Sequence, residues 1–373
     1  MTHTTPQGGT RLQHLTCAAV FLAFSFTCAY SLQDGLLALV WHTLTHGQIG
    51  WHALPGAAAL SLCLTLLGFG ISRLSLSLRR LPALCFLPSA LLLGWLTGVE
   101  VGGTVCSFAR TSWLVLGLVL FVVLVLLLRH RLRALTVMHR WLLSLSTMLL
   151  LMLLVMVMGN TDSVLHTRLK AEQCLLKNDP AGALRVLNRE PRTDASLTML
   201  RAYALAESGK LADQLFAHQL EGRSSALLPT CGSGACFLLY PSDRFFQYLG
   251  ARPREGQDPV DYLRAQLRQR PQSRYTLDYL LCAYLMEKRV DEFVALLEQH
   301  CAIGDSLPKH YREALLLYVH QHSAPRVVYS NDVLEADYQD YQRLYSPYDE
   351  PQECLTHLRE TFGNTYWYYF DFG

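Results

Sequence analysis

Acidic residues are almost missing from the first part of this chain. Between residues 1 and 159 only Asp34 and Glu100 carry a carboxylate, there is no lysine, and all nine basic residues are arginines. Beyond residue 159 stand 23 basic and 28 acidic residues, so a basic segment precedes a mildly acidic one. So little charge excludes a water-covered surface over the first part, because ordinary soluble domains carry about 25% charged residues throughout. The motifs of common catalysts are also absent: there is no P-loop, no HExxH, no GxSxG, and no GxGxxG following a strand. Zinc-ribbon cysteine spacing is missing. The second part has no basic stripe interleaved with aromatics, which removes support for nucleic-acid binding. The sequence therefore assigns no catalytic, cofactor-binding or metal-binding residue and implies no cofactor.

What is present instead is apolar length. Five blocks, 15–32, 51–71, 81–98, 112–128 and 141–158, approach the roughly 20 helical residues needed to cross a hydrocarbon layer of about 30 Å. The fourth (SWLVLGLVLFVVLVLLL) and fifth (WLLSLSTMLLLMLLVMVM) contain no ionisable group, whereas a core helix of a soluble protein shows a polar face. The first block follows Arg11 without a small-x-small cleavage site, so it reads as an uncleaved span rather than a signal peptide. Residues 35–44 continue it as an extra helical turn or an interfacial segment. A transmembrane domain over 1–159 embedded in the lipid bilayer is predicted.

The arginines give that domain a predicted orientation, because basic residues are retained in short cytoplasmic loops. Arg73, Arg79 and Arg80 follow span two, and Arg129, Arg131, Arg133 and Arg140 follow span four. The loop after span one has none, and the loop after span three has only Arg110, offset by Glu100. Seven against one places the N-terminus in the cytoplasm and, after five crossings, the C-terminal domain outside it. Trp41, Trp51, Trp95 and Trp113 then fall at outer ends and Trp141 at an inner end, as interfacial indoles should.

After Met158 the pattern turns polar with helical periodicity, giving an all-α soluble domain over 160–373, with Thr161 or Asp162 as the first N-cap. TRLKAEQCLLKNDPAGALRVLNRE reads as helix, turn at Asn178-Asp179-Pro180, and helix. TMLRAYALAESGKLADQLFAHQ repeats that shape, placing Ala171 over Ala202 at a period of 31 residues, with a turn at Ser208-Gly209-Lys210. A third copy is LLCAYLMEKRVDEFVALLEQH, with Ala283-Tyr284 and then Ala295. These units resemble the tetratricopeptide repeat, helical pairs stacked into a superhelix, although Gln214 occupies a position where copy one has a small residue. A Gly/Pro-rich insertion at 221–271, including PTCGSGACF, reads as loop with a short helix or two, packed by Phe245, Phe246 and Tyr248. The aromatic C-terminal segment reads as a terminal helix packing on the last repeat or on the membrane interface, in preference to a ligand platform of tyrosines.

The motifs LPKHYREALLLY (Leu307 to Tyr318) and FGNTYWYYF (Phe362 to Phe370) resemble those of a family of uncharacterised Bacteroidetes multi-pass membrane proteins with a tetratricopeptide-like C-terminal domain. That resemblance implies an architecture and a bacterial inner membrane, with the soluble domain periplasmic; it implies no reaction.

Two functional expectations follow. The first is a non-enzymatic, membrane-anchored interaction or scaffold protein whose extracytoplasmic repeats bind a protein or peptide. The alternative is a membrane enzyme of envelope glycan or lipid metabolism, with its site at the outer span ends around Asp34, His42, His46, His52 and Glu100; His42 and His46 would share a helix face, and a third imidazole would allow zinc. Of eleven cysteines, those in the spans read as small apolar groups, Cys174 and Cys282 as core, and Cys231 with Cys236 as the disulfide pair a periplasmic location would permit.

Overall fold

The computed structural model describes residues 7–74, 81–102, 105–107, 111–131, 137–229, 236–254, 256–345 and 351–373. The chain divides into two compact units, Met1–Asp162 and Ser163–Gly373.

In the first unit α1 (Gln7–Thr27) runs into a π-helical turn, Cys28–Leu32, which stops at Gln33; a separate helix, α2 (Asp34–Leu44), follows. α3 covers Ala53–Leu74. The third apolar block is not one continuous α-helix: Pro82 opens a 3-10 turn, Pro82–Phe86, and only then does α4 (Leu87–Thr97) begin. α5 spans Thr111–Arg131 and α6 spans Val137–Met158. Between α4 and α5 lies a feature not expected from the sequence, an antiparallel hairpin of three-residue strands, β1 (Glu100–Gly102) and β2 (Val105–Ser107), pairing Val101 with Cys106. It is a local loop device in an otherwise helical chain.

Three helical stretches, Arg11–Leu32, Ala53–Arg73 and Met138–Met158, are long and apolar enough to cross a membrane. Several hydroxyls of the apolar helices, α4 included, are satisfied within their own helices, as an apolar surround requires. The hydroxyls of Thr16, Thr27, Ser61, Thr65, Thr97 and Thr147 donate to carbonyls one turn back. Two others staple helices together: the Gln13 amide donates to Ser144 Oγ at 2.7 Å, and Ser89 Oγ donates to the Leu64 carbonyl at 2.7 Å. The core is small, built from Cys17, Phe21, Leu64, Phe86, Leu93 and Met148 among others, while Leu142, Leu145, Leu149, Leu153 and Val157 of α6 point outward and exposed. Apolar residues turned outward in this density mark a surface that meets lipid rather than water.

The second unit is a stack of helical hairpins. α7 (Ser163–Leu176) and α8 (Pro180–Leu187) form the first, α9 (Ala195–Glu207) and the single turn α10 (Leu211–Gln214) the second. A 3-10 turn, Leu215–Ala217, ends the second early. The segment after it holds a 3-10 turn, Ser224–Leu227, then α11 (Ser242–Leu249) and α12 (Pro259–Gln269). α13 (Arg274–Met286) and α14 (Val290–His300) form a third hairpin, followed by α15 (Lys309–Gln321), α16 (Asp332–Tyr345), α17 (Pro351–Phe362) and α18 (Tyr366–Phe372).

The hairpins start and turn for identifiable reasons. Asp179, Asp194, Asp258 and Ser273 cap α8, α9, α12 and α13 by accepting from backbone N–H groups three residues on, each cap contributing about 1 kcal/mol. The three hairpin turns are one motif repeated: Asn178 (φ 56°), Gly209 (φ 66°) and Lys288 (φ 58°) are all left-handed. The next residue in each case donates five back, Asp179 to Cys174, Lys210 to Leu205 and Arg289 to Tyr284, which is the Schellman closure of a helix C-terminus. Ala171, Ala183 and Ala202, all fully buried, let the first hairpin and α9 approach closely. α13 is buried on every side, as its nearly uniform apolar sequence YTLDYLLCAYLM demands.

In the insertion Phe245 and Phe246 are buried, but Tyr248 stays half-exposed, stacked on Tyr275 at 5.3 Å. The C-terminal aromatics pack inward: Tyr366 and Trp367 are buried, the Tyr366 hydroxyl donates to the Leu285 carbonyl, and the Trp367 indole donates to the Glu313 carbonyl.

Candidate functional site

Among the described residues, those expected at the outer span ends do not assemble a metal site. α2 ends at Leu44, and His46 lies beyond it in a left-handed conformation (φ 50°), so His42 and His46 do not share a helix face. Asp34 Oδ1 accepts from the Trp51 indole at 2.7 Å, which occupies it structurally, and Glu100 stands exposed on β1. Among the described residues no three His, Cys, Asp or Glu side chains are grouped to hold a metal ion. Of the expected disulfide, Cys231 lies outside the described residues; Cys236 Sγ accepts from the Arg168 guanidinium at 3.2 Å. Cys282 is buried in the core and Cys174 is half-buried. Arg79, Arg80, Arg110 and Arg133 also lie outside the described residues.

Among the described residues, buried charge in the second unit falls into three groups. On α7, Glu172 is fully buried beside Arg168 at 3.5 Å and accepts from the backbone N–H groups of Leu238, Leu239 and Tyr240 at 2.8, 2.6 and 2.9 Å. Burial pushes its carboxyl above the usual range, opposed by Arg168 and by those three amides. The carboxylate is taken up by the three amides and by the Arg168 charge, whose own Nε makes no hydrogen bond, so the pair pins the 236–240 segment to α7. On α15, Glu313 accepts from the Tyr366 amide at 2.7 Å and pairs with His310 Nδ1 at 2.9 Å. Phe216 closes over that imidazole edge-on at 5.3 Å. This second group anchors α18.

The third group differs. Arg201 on α9 is 3% exposed, yet it makes no ion pair among the described residues. One terminal nitrogen donates to the Leu187 carbonyl at 3.1 Å, the other reaches the Gln219 carbonyl at a long 3.4 Å, and Nε has no partner. Burial lowers its pKa to about 10, still charged at neutral pH. Arg201 lines a cleft of about 540 Å³, within the range of small-molecule pockets. Thr193, whose buried hydroxyl also lacks a partner, lines the same cleft. So does His218, held below its ordinary pKa first by burial and then by the Arg201 charge. Phe216, Tyr368 and Tyr369 supply an aromatic wall.

Two acidic side chains also line the cleft, as does Gly373. Glu190 is engaged by Arg192 at 3.5 Å, and Glu360 is exposed at the rim beside Arg359.

Sequence reasoning passed over Arg201 because it reads as one polar position in a helix. The available signal was that it stands alone between Leu197 and Leu205 among residues that are otherwise apolar or small, apart from Thr198.

The cleft brings together the 188–193 and 217–220 segments with α17 and α18. No curated protein and no solved structure matches the chain, while residues 252–373, which hold α17 and α18 and both motifs quoted above, match a family of unknown function, DUF6057.

Proposed function

We propose that this chain is a membrane-anchored interaction protein, in which five spans hold a tetratricopeptide-like helical unit on the extracytoplasmic side of a bacterial inner membrane, where it binds a protein or peptide. The observation that carries the reading is the repeated closure of three helical hairpins at Asn178, Gly209 and Lys288, each with the same left-handed residue and the same five-back hydrogen bond. Stacked pairs of this kind build concave surfaces out of rigid elements, which suits recognition of an extended segment. α5, 21 residues of almost continuous apolar sequence, and the Pro82–Thr97 segment support two further crossings besides the three longest apolar stretches. The arginine asymmetry supports the sidedness.

The test is purification of the full chain from membranes in mild detergent. A protein recovered in stoichiometric amount, and lost when the 163–373 unit is deleted, is the expected result. Recovery of the chain alone, under conditions that keep known membrane complexes intact, removes the interaction reading.

A further inference from the structure

Among the described residues, Arg201 is the buried charge of the second unit that the fold leaves without a counter-charge, and it lies on a cleft. A buried guanidinium facing only two carbonyl dipoles is expensive to keep, because its lost hydration is not returned by an opposite charge. Such a charge persists where something outside the chain completes it.

We propose that the cleft lined by Thr193, Arg201 and His218 is a carboxylate-binding site, and that the ligand carries its carboxylate on an apolar stem. This rests on the interaction reading, for which it names the chemistry recognised: an acidic side chain, flanked by apolar residues, on a bound peptide.

Four observations select that ligand. The guanidinium is a planar fork matched to a planar carboxylate. It supplies one buried positive charge, which a monoanion balances; the lining as a whole sets Arg201 and Arg359 against Glu190 and Glu360, so the second charge of a phosphate dianion would meet no surplus of positive charge. Thr193 adds a hydroxyl donor without a partner of its own. Phe216 and Tyr369, whose rings lie 4.7 Å apart, offer an apolar wall for the stem. Glu190, already held by Arg192, is not available to neutralise Arg201. The Glu172 and Glu313 carboxylates are likewise committed to other partners.

The experiment titrates the full chain in detergent with three probes: acetyl-Leu-Glu-Leu-amide, its Gln counterpart, and hexanoate. Binding of the Glu peptide at least tenfold tighter than the Gln peptide is expected, with the difference abolished in Arg201→Met. If that variant does not fold, judged by circular dichroism, Thr193→Val takes its place and should weaken the Glu peptide several-fold with little effect on the Gln peptide.

Equal binding of the two peptides overturns the carboxylate site and leaves the interaction reading standing. Binding of hexanoate with neither peptide keeps the site, assigns it to a free small carboxylate, and removes the peptide reading. Binding of no probe overturns the proposal.

Discussion

Removing the Glu172 carboxylate would strand three amide N–H groups and the Arg168 guanidinium in a dry environment. Breaking one side of a buried pair of this kind costs about 3–5 kcal/mol, so Glu172→Ala is expected to lower stability by about that much in chemical denaturation, with the 236–240 segment becoming protease-sensitive first. His218 makes a different kind of prediction. Burial and the neighbouring Arg201 hold it below its ordinary value of about 6.5, so the fold prefers the neutral ring. That preference is fully present above pH 6.5. It is lost as pH falls from 6.5 through the depressed folded value, because in that window the unfolded chain takes up a proton the folded chain does not. Between about pH 7.5 and about pH 5.5 the melting temperature of the wild type should therefore fall further than that of His218→Gln. Neither residue drew attention in the sequence. A buried glutamate and an exposed one look alike until the chain is folded, and the donors that engage Glu172 lie more than sixty residues away.

Helix turns were more legible than helix lengths. Asn178-Asp179-Pro180 and Ser208-Gly209-Lys210 could be read directly, because a left-handed residue followed by a helix start has a compositional mark. At Gly209 a side-chain carbon would meet nothing within 4 Å, so the cost of Gly209→Ala is purely conformational. About 1 kcal/mol of lost stability is expected, measured against Asn178→Gly, which should be neutral or slightly stabilising. What could not be read was where continuity fails. Gln33-Asp34-Gly35 marks an interruption after the first apolar block, but nothing in the sequence tells whether 35–44 prolong that helix or begin a separate one, as α2 does. α10 stops after four residues although its sequence continues in helical register, because Leu215 and Phe216 are drawn into the core shared with α13 and α15. The β1–β2 hairpin is too short to leave an alternating pattern.

At the scale of the whole molecule, the strongest sequence signal was also the coarsest: charge density and apolar length, which no single residue controls. Sidedness is more fragile, since it depends on an odd number of crossings. A cysteine introduced at Arg254, exposed in the loop before α12, should react with a membrane-impermeant maleimide in intact spheroplasts if the second unit is extracytoplasmic. Labelling only after lysis would place that unit in the cytoplasm.

The hydroxyl groups that fold back onto their own helices in the first unit have a consequence for handling the protein. Those hydroxyls and the helix backbones keep their hydrogen bonds within each helix, so they do not depend on the surrounding medium to exclude competing donors. The second unit is held by capped ends, tight turns and an aromatic core that only water drives together. An ionic surfactant would thus dissolve one half of the molecule while leaving the other wound. A helical spectrum measured in it would report on the first unit and say nothing of the second.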